Sequence, residues 1–407
     1  MNKDLEERAM LMMMKDWRRA LRTPPSYRIG KSPIRFQPTY VIGVSLLSVV
    51  LLFMLVKSYD LGNVPAPSFN HLDRESALYK YNIAGNRHVT LNLTYPLTPP
   101  RHINDKVHFK VGAIADKDEA SRSKDESNTW VSTYITGTLI WDQKKNHISV
   151  NWDKNSIKPL KSKYSYGGRG MELSELVTYN GNLLTFDDRG GLVYVLKDDK
   201  VYPWVLLTDG EGKIDKGFKS EWATVKDGHL YVGSMGKEWT TPTGEFVNYN
   251  PMWVKKISKT GEVESLDWKN NYKTIRSSLG INFPGYLLHE SACWSDYHNK
   301  WFFLPRRMSH YAYNEDKDQY QGTNVLISCD ENFNQCHVTQ VGEVVPTHGF
   351  SSFKFMPGTH DNLIVAIKSY EVNGKLESYV MAFDTQGKIL LGETKIDNSK
   401  FEGFDFI

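Results

Sequence analysis

Five positions in this 407-residue chain place an oxygen-bearing side chain at the head of an apolar strand pattern: Ser174, Glu221, Glu290, Ser351 and Glu402. Each opens the same kind of unit: a short apolar strand, a polar turn, and a second apolar strand that runs into charge. The units read SELVTYNGNLLTFDDR, EWATVKDGHLYVGSMGKEW, ESACWSDYHNKWFFLPRR, SSFKFMPGTHDNLIVAIKS and the terminal EGFDFI, which lacks a second strand. Carboxylates brought to one point cannot all stay ionised unless a cation lies between them. Carboxylate, hydroxyl and backbone carbonyl oxygens suit a hard cation with about six to eight ligands, and calcium is the natural candidate. A lone Glu at a strand end is usually just solvated; the repetition of the position argues for ligation.

The second strands end in charge: Asp187, Asp188 and Arg189; Lys237, Glu238 and Trp239; Arg306 and Arg307; Lys368. Neighbouring antiparallel strands put these ends on the face where the first strands begin. Mixed charge around a metal suits phosphate chemistry: Lys and Arg neutralise non-bridging oxygens, the cation polarises the phosphoryl group, and a carboxylate orients water. Surface salt bridges are the plainer alternative.

The elements that must position these groups are strands. Two and four residues after each head stand Leu176/Thr178, Ala223/Val225, Ala292/Trp294, Phe353/Phe355 and Phe404/Phe406, a period of two. The heads lie roughly 50 to 70 residues apart, about the size of a four-stranded blade with its loops. A candidate for the strand missing from the fifth unit is HFKVGAIADKD, from His108 to Asp118. Pairing the two ends closes a ring without leaving an edge and sets Asp116 and Asp118 beside Glu402. The expected fold is all-β: a five-bladed β-propeller over residues 106–407 with a central calcium site, closed by N-terminal and C-terminal strands. With 40% hydrophobic residues, 11 Trp and 22 Tyr, the composition supports a large β core. A net charge of +3 gives no case for nucleic acid.

Residues 39–56, TYVIGVSLLSVVLLFMLV, carry no charge and are just long enough to cross a bilayer core. A cleaved signal peptide is the rival reading, but the segment begins late and no clear cleavage site follows. The preceding tail, residues 1–38, is basic, with Arg18, Arg19, Arg22, Arg28, Lys31 and Arg35, so the positive-inside rule puts it in the cytosol. Residues 57–105 then form a proline-containing luminal stem, in which Asn92-Leu93-Thr94 is an N-glycosylation sequon. Cys329 and Cys336 flank a turn where a hairpin disulfide would suit an oxidising lumen, and Cys293 reads as a buried small hydrophobe. GGRG at 167–170 precedes a strand, so it reads as a turn and not as a phosphate loop.

The segments YGGRGMELSELV, GFKSEWATVKDGHLYVGSMGKEWTT, PGYLLHESACWSD, WFFLPRR, PTHGFSSFKF and ETKIDNSKFEGFDFI resemble the calcium-activated nucleotidases of the apyrase family, over about residues 95–407. The resemblance implies a five-bladed propeller that uses tunnel-bound calcium to hydrolyse nucleoside di- or triphosphates, with UDP and GDP preferred to ADP. It maps the family's calcium ligands onto Ser174, Glu221, Glu290, Ser351 and Glu402, and its acidic catalytic residues onto Asp116, Asp118 and Asp188. Lys237, Glu238 and Trp239 match its nucleotide motif, and Arg122, Trp130 and Arg306 are further candidates for phosphate or base contacts. Near Met252 the loop VNYNPMWVK departs from relatives that carry a carboxylate there. The apolar segment and basic tail predict a single-pass type II protein, expected in the endoplasmic reticulum or Golgi membrane, and a homodimer and a soluble secreted form are further expectations. The competing class is a calcium-stabilised propeller that only binds a glycan or protein partner.

Overall fold

The computed structural model describes residues 90–407 and, before them, two short strands, Ser26–Ile29 and Ser32–Arg35. The chain divides into two units, Met1–Tyr79 and Lys80–Ile407. In the first, the two short strands pair antiparallel. The expected membrane span over residues 39–56 lies outside the described residues, among which no helix is long and apolar enough to cross a membrane.

The second unit is a five-bladed β-propeller with few helical residues. Four blades are consecutive four-stranded meanders. One uses Leu173–Tyr179, Asn182–Asp187, Leu192–Lys197 and Lys200–Leu206; the next uses Trp222–Lys226, His229–Gly233, Trp253–Ile257 and Val263–Asp267. Two more begin with Tyr286–Ser295 and His348–Phe355 and end with Cys336–Gln340 and Ile389–Asp397. The remaining blade is built from both ends of the chain, with Phe401–Phe406 pairing antiparallel to Lys106–Ala115, followed by Trp130–Asp142 and His147–Ser162. Arg101–Ile103, at the end of the expected stem, forms a hairpin on Lys106–His108.

The head residues do not all sit at strand starts. Glu290 and Ser351 lie inside strands whose pairing begins at Tyr286 and His348, and Glu221 directly precedes its strand. The pairing register breaks around four of the five heads: between Leu173 and Leu176, between His289 and Ala292, between Phe350 and Ser352, and between Phe401 and Gly403. Such a bulge lets one residue leave the pleat and re-aims its side chain. This is why a strand can continue past an axial Ser or Glu while the residues beyond it return to packing. Close approach at the axis also constrains Gly403, where a Cβ would stand 2.5 Å from the backbone of Glu175 and Leu176.

Apolar side chains fill the spaces between blades. The C-terminal strand buries Phe401, Phe404 and Phe406 in a cluster with Val107, Phe109, Val111 and Val365. Phe406 meets Phe109 edge-on, with ring centroids 5.4 Å apart, so residues from opposite ends of the chain share one core. Cys329 and Cys336 face each other across a hairpin and are joined by a disulfide, while Cys293 is buried with a free thiol. Truncating Phe406 to Ala removes a fully buried ring from this closure. It is expected to cost about 3–5 kcal/mol of stability, measured by urea unfolding followed through tryptophan fluorescence.

Candidate active site at the tunnel mouth

A cavity of about 520 Å³ opens at one end of the central tunnel. Ten of its lining residues are Asp or Glu and four are Lys or Arg, with Met235, Leu288 and Tyr313 on its apolar side. So acidic a cavity requires added positive charge before it can admit a polyanion.

Three of the five head residues meet at Arg306. Its Nη1 donates to Glu290, to Ser351 Oγ at 3.1 Å and to Glu402 Oε1 at 2.9 Å. A single cationic nitrogen thus touches three of the five. Ser174 Oγ donates to the carbonyl of Ser220, the residue before Glu221, and Glu221 accepts an ion pair from Lys219 at 2.8 Å. Burial pushes the Glu221 carboxyl up to about 8; Lys219 opposes that rise, and Glu290 and Asp188 add to it. Glu402 is likewise pushed far above the carboxylate range, by burial first and then by Glu290 and Asp116, against the pull of Lys400 and Arg306. Glu221 and Glu402, raised by burial first, stand with Glu290, Ser174 and Ser351 as oxygen donors of the kind a hard divalent cation takes, while the carboxylates within 4.8 Å of one another among the described residues are Asp116, Asp118 and Glu172.

Beside this ring lie the acidic residues expected from the sequence. Asp116 and Asp118 share Lys400, whose Nζ stands 2.6 Å and 2.7 Å from them, and the Asp118 amide donates to Asp116 at 2.8 Å. Lys219 pairs with one oxygen of Asp188, while Asp188 Oδ1 is buried without a hydrogen-bond partner. Burial raises both Asp116 and Asp188. At Asp116 the charge of Lys400 outweighs it and the carboxyl falls below its ordinary value, whereas at Asp188 burial and the nearby Asp116 outweigh Lys219 and the carboxyl rises. Their surroundings thus drive the two carboxyls in opposite directions. Glu172 joins Asp116 and Asp118 in a cluster of carboxylates within 4.8 Å and is itself gripped by Arg169.

Other expected site residues lie elsewhere. Glu238 is buried and turns to Arg276 on the helix Lys269–Ser277, with bonds of 2.7 and 3.1 Å. Lys237 is buried under Tyr313, 4.5 Å from its ring centroid, where burial lowers its pKa to about 8. Trp239 is half-exposed on a hairpin, with Lys216 Nζ 4.8 Å from its ring centroid. Trp130 is a core residue whose Nε1 donates to Gly168, and Arg122 is exposed. Two histidines beside the heads, His289 and His348, are also engaged: His289 packs between Tyr272 and Phe303, with burial and then Arg276 lowering it to about 3, and His348 bonds Glu393 at 2.5 Å.

Residues 117–407 match the family model described as Apyrase. The chain belongs to the apyrase family. An apyrase of Cimex lectularius is 59% identical over 383 residues, covering 94% of this chain and 99% of its own. The soluble calcium-activated nucleotidase 1 of Mus musculus is 46% identical over 374 residues, 92% of this chain and 91% of its own. The apyrase apy-1 of Caenorhabditis elegans is 44% identical over 301 residues, 73% of this chain and 84% of its own.

Two cavity lysines of this apyrase escaped the sequence reading although a signal existed. Lys219 and Lys400 each stand two residues before a head, at Glu221 and Glu402, a repetition visible in the sequence. Glu371 lies three residues past Lys368 on Leu363–Val372. For Glu238 the geometry gives a structural expectation. Glu238→Ala leaves Arg276 charged and buried, costs about 3–5 kcal/mol of stability in calorimetry, and leaves the KM of the remaining folded enzyme unchanged.

Proposed function

We propose that this apyrase-family chain hydrolyses nucleoside diphosphates, UDP and GDP ahead of ADP, and some triphosphates, to release phosphate in a calcium-dependent reaction. The observation that carries the reading is the convergence of Glu290, Ser351 and Glu402 on one cationic nitrogen at the floor of an acidic, water-accessible cavity. In this reading Ser174, Glu221, Glu290, Ser351 and Glu402 hold calcium. When bound, calcium supplies Lewis-acid polarisation of the phosphoryl group and neutralises its developing charge.

The chain's own residues do the rest. Asp188 accepts the proton of the attacking water through Oδ1, which has no other partner, while Lys219 holds its second oxygen in place. Asp116, kept ionised by Lys400, stays a fixed negative group that orients the same water with Asp118. Arg306, Lys219 and Lys400 exchange carboxylate partners for phosphate oxygens as the nucleotide enters. The exposed ring of Trp239 offers a face to the base, with Lys237 beside it. Water attacks in line, without a covalent intermediate.

Residues 39–56 anchor the protein as a single-pass type II protein of the endoplasmic reticulum or Golgi, where it removes nucleoside diphosphates released by glycosyltransferases and so supports glycosylation and protein folding. The Cys329–Cys336 disulfide and the exposed Asn92 sequon accord with a luminal domain. A homodimer and a soluble form released by cleavage of the stem belong to the same proposal.

The test is phosphate release from UDP, GDP and ADP by the full-length chain. Chelating calcium is expected to abolish release and readdition to restore it; release that persists in chelator would refute the mechanism. Asp188→Asn should lower kcat by about 100-fold or more without loss of calcium binding. The pH dependence of calcium affinity follows from Glu221. Only the ionised carboxylate ligates, so affinity should weaken as pH falls through about 8, with proton release on binding at pH 7 read by titration calorimetry in two buffers.

A further inference from the structure

Of the four basic residues that line the tunnel mouth, three are closely paired with carboxylates in the structure. Lys219 is held by Asp188 and Glu221, Lys400 by Asp116 and Asp118, and Arg306 by Glu290, Glu402 and Glu371. Arg307 differs. It is 3% exposed, and its Nε and Nη1 have no hydrogen-bond partner. Asp318 Oδ2 stands 3.8 Å from Nε, beyond hydrogen-bonding reach, and the other Asp318 oxygen is taken by the Tyr286 hydroxyl at 2.5 Å. Burial, with the charge of Arg306 beside it, pulls Arg307 down to about 10.

A buried guanidinium that meets a carboxylate only at 3.8 Å regains little of the cost of leaving water. The surroundings nevertheless make room for it. A Cβ on Gly349 would stand 3.0 Å from Arg307 Nη1 and 2.4 Å from the Cγ of Arg306, so glycine there lets both guanidinium groups reach the cavity. The cavity they line is the one into which a nucleotide's phosphates would pass. Planar guanidinium N–H groups match phosphate oxygens better than any other side chain does.

We infer that Arg307 is a phosphate-binding residue of the nucleotide site, its guanidinium, part of the cavity wall, donating to non-bridging oxygens of the diphosphate. The inference rests on the nucleotidase reading and deepens it. Arg306 lies against three of the candidate cation ligands; Arg307 is the neighbour whose bonding capacity waits for the substrate.

The experiment compares wild type, Arg307→Gln and Arg307→Lys as full-length chains with calcium present. KM and kcat for UDP are measured, together with the Ki of methylenediphosphonate, a non-hydrolysable diphosphate lacking the base, and the Tm. Arg307→Gln should raise KM and the Ki in parallel by about 10- to 100-fold, with Arg307→Lys between it and wild type. A residue with a packing role alone would move Tm and leave the Ki unchanged. An active wild type beside a folded Arg307→Gln enzyme with KM and Ki within about twofold of it would overturn the inference and leave the nucleotidase reading intact. Should Arg307→Gln not fold, Arg307→Lys keeps the charge and decides by the same Ki. A wild type that releases no phosphate would overturn both.

Discussion

The structure depends on positive charge held among buried carboxylates at the propeller axis. Radial symmetry forces equivalent residues together, and where those residues are Glu221, Glu290 and Glu402 the result is repulsion between carboxylates. The ring of Lys219, Arg306 and Lys400 meets that repulsion from the chain's own side chains. Arg306 does most, since one nitrogen reaches oxygens from three different blades. Such a centre is costly as a stabilising device, because ion pairs seldom repay their own desolvation.

The backbone supplies what this centre needs. Each innermost strand must aim one oxygen at the axis and otherwise bury apolar groups between blades, two demands that an unbroken pleat does not meet together. Register breaks around four of the five heads resolve the conflict. Closure matters for the same reason. Asp116 follows Lys106–Ala115, and its amide donates to the carbonyl of Lys400, so the pairing of the two chain ends brings the acid and its lysine together. A fold closed elsewhere would leave Asp116 and Lys400 on separate edges.

Burial also divides labour among like residues. Asp116 and Asp188 are both buried carboxyls at the mouth, yet one is held ionised by Lys400 and the other is driven toward protonation. Arg306 and Arg307 are adjacent in sequence, yet one is saturated and the other is not. Environment, and not residue type, makes the difference.

Much of this was legible in the sequence. The period-two pattern after each head, the spacing of the heads and the apyrase-family motifs determined the all-β propeller, and the equivalence of Ser174, Glu221, Glu290, Ser351 and Glu402 marked the axis. These signals are local, since alternation and spacing follow from strand geometry. Tertiary structure decided which charged side chains face the cavity and which are spent elsewhere. Glu238 finds Arg276 on a helix 38 residues away, Lys400 finds Asp116 from the other end of the propeller, and Arg307 meets Asp318 only at 3.8 Å. A pairing of that kind is set by distances between blades, and alternation along a single strand carries no record of them.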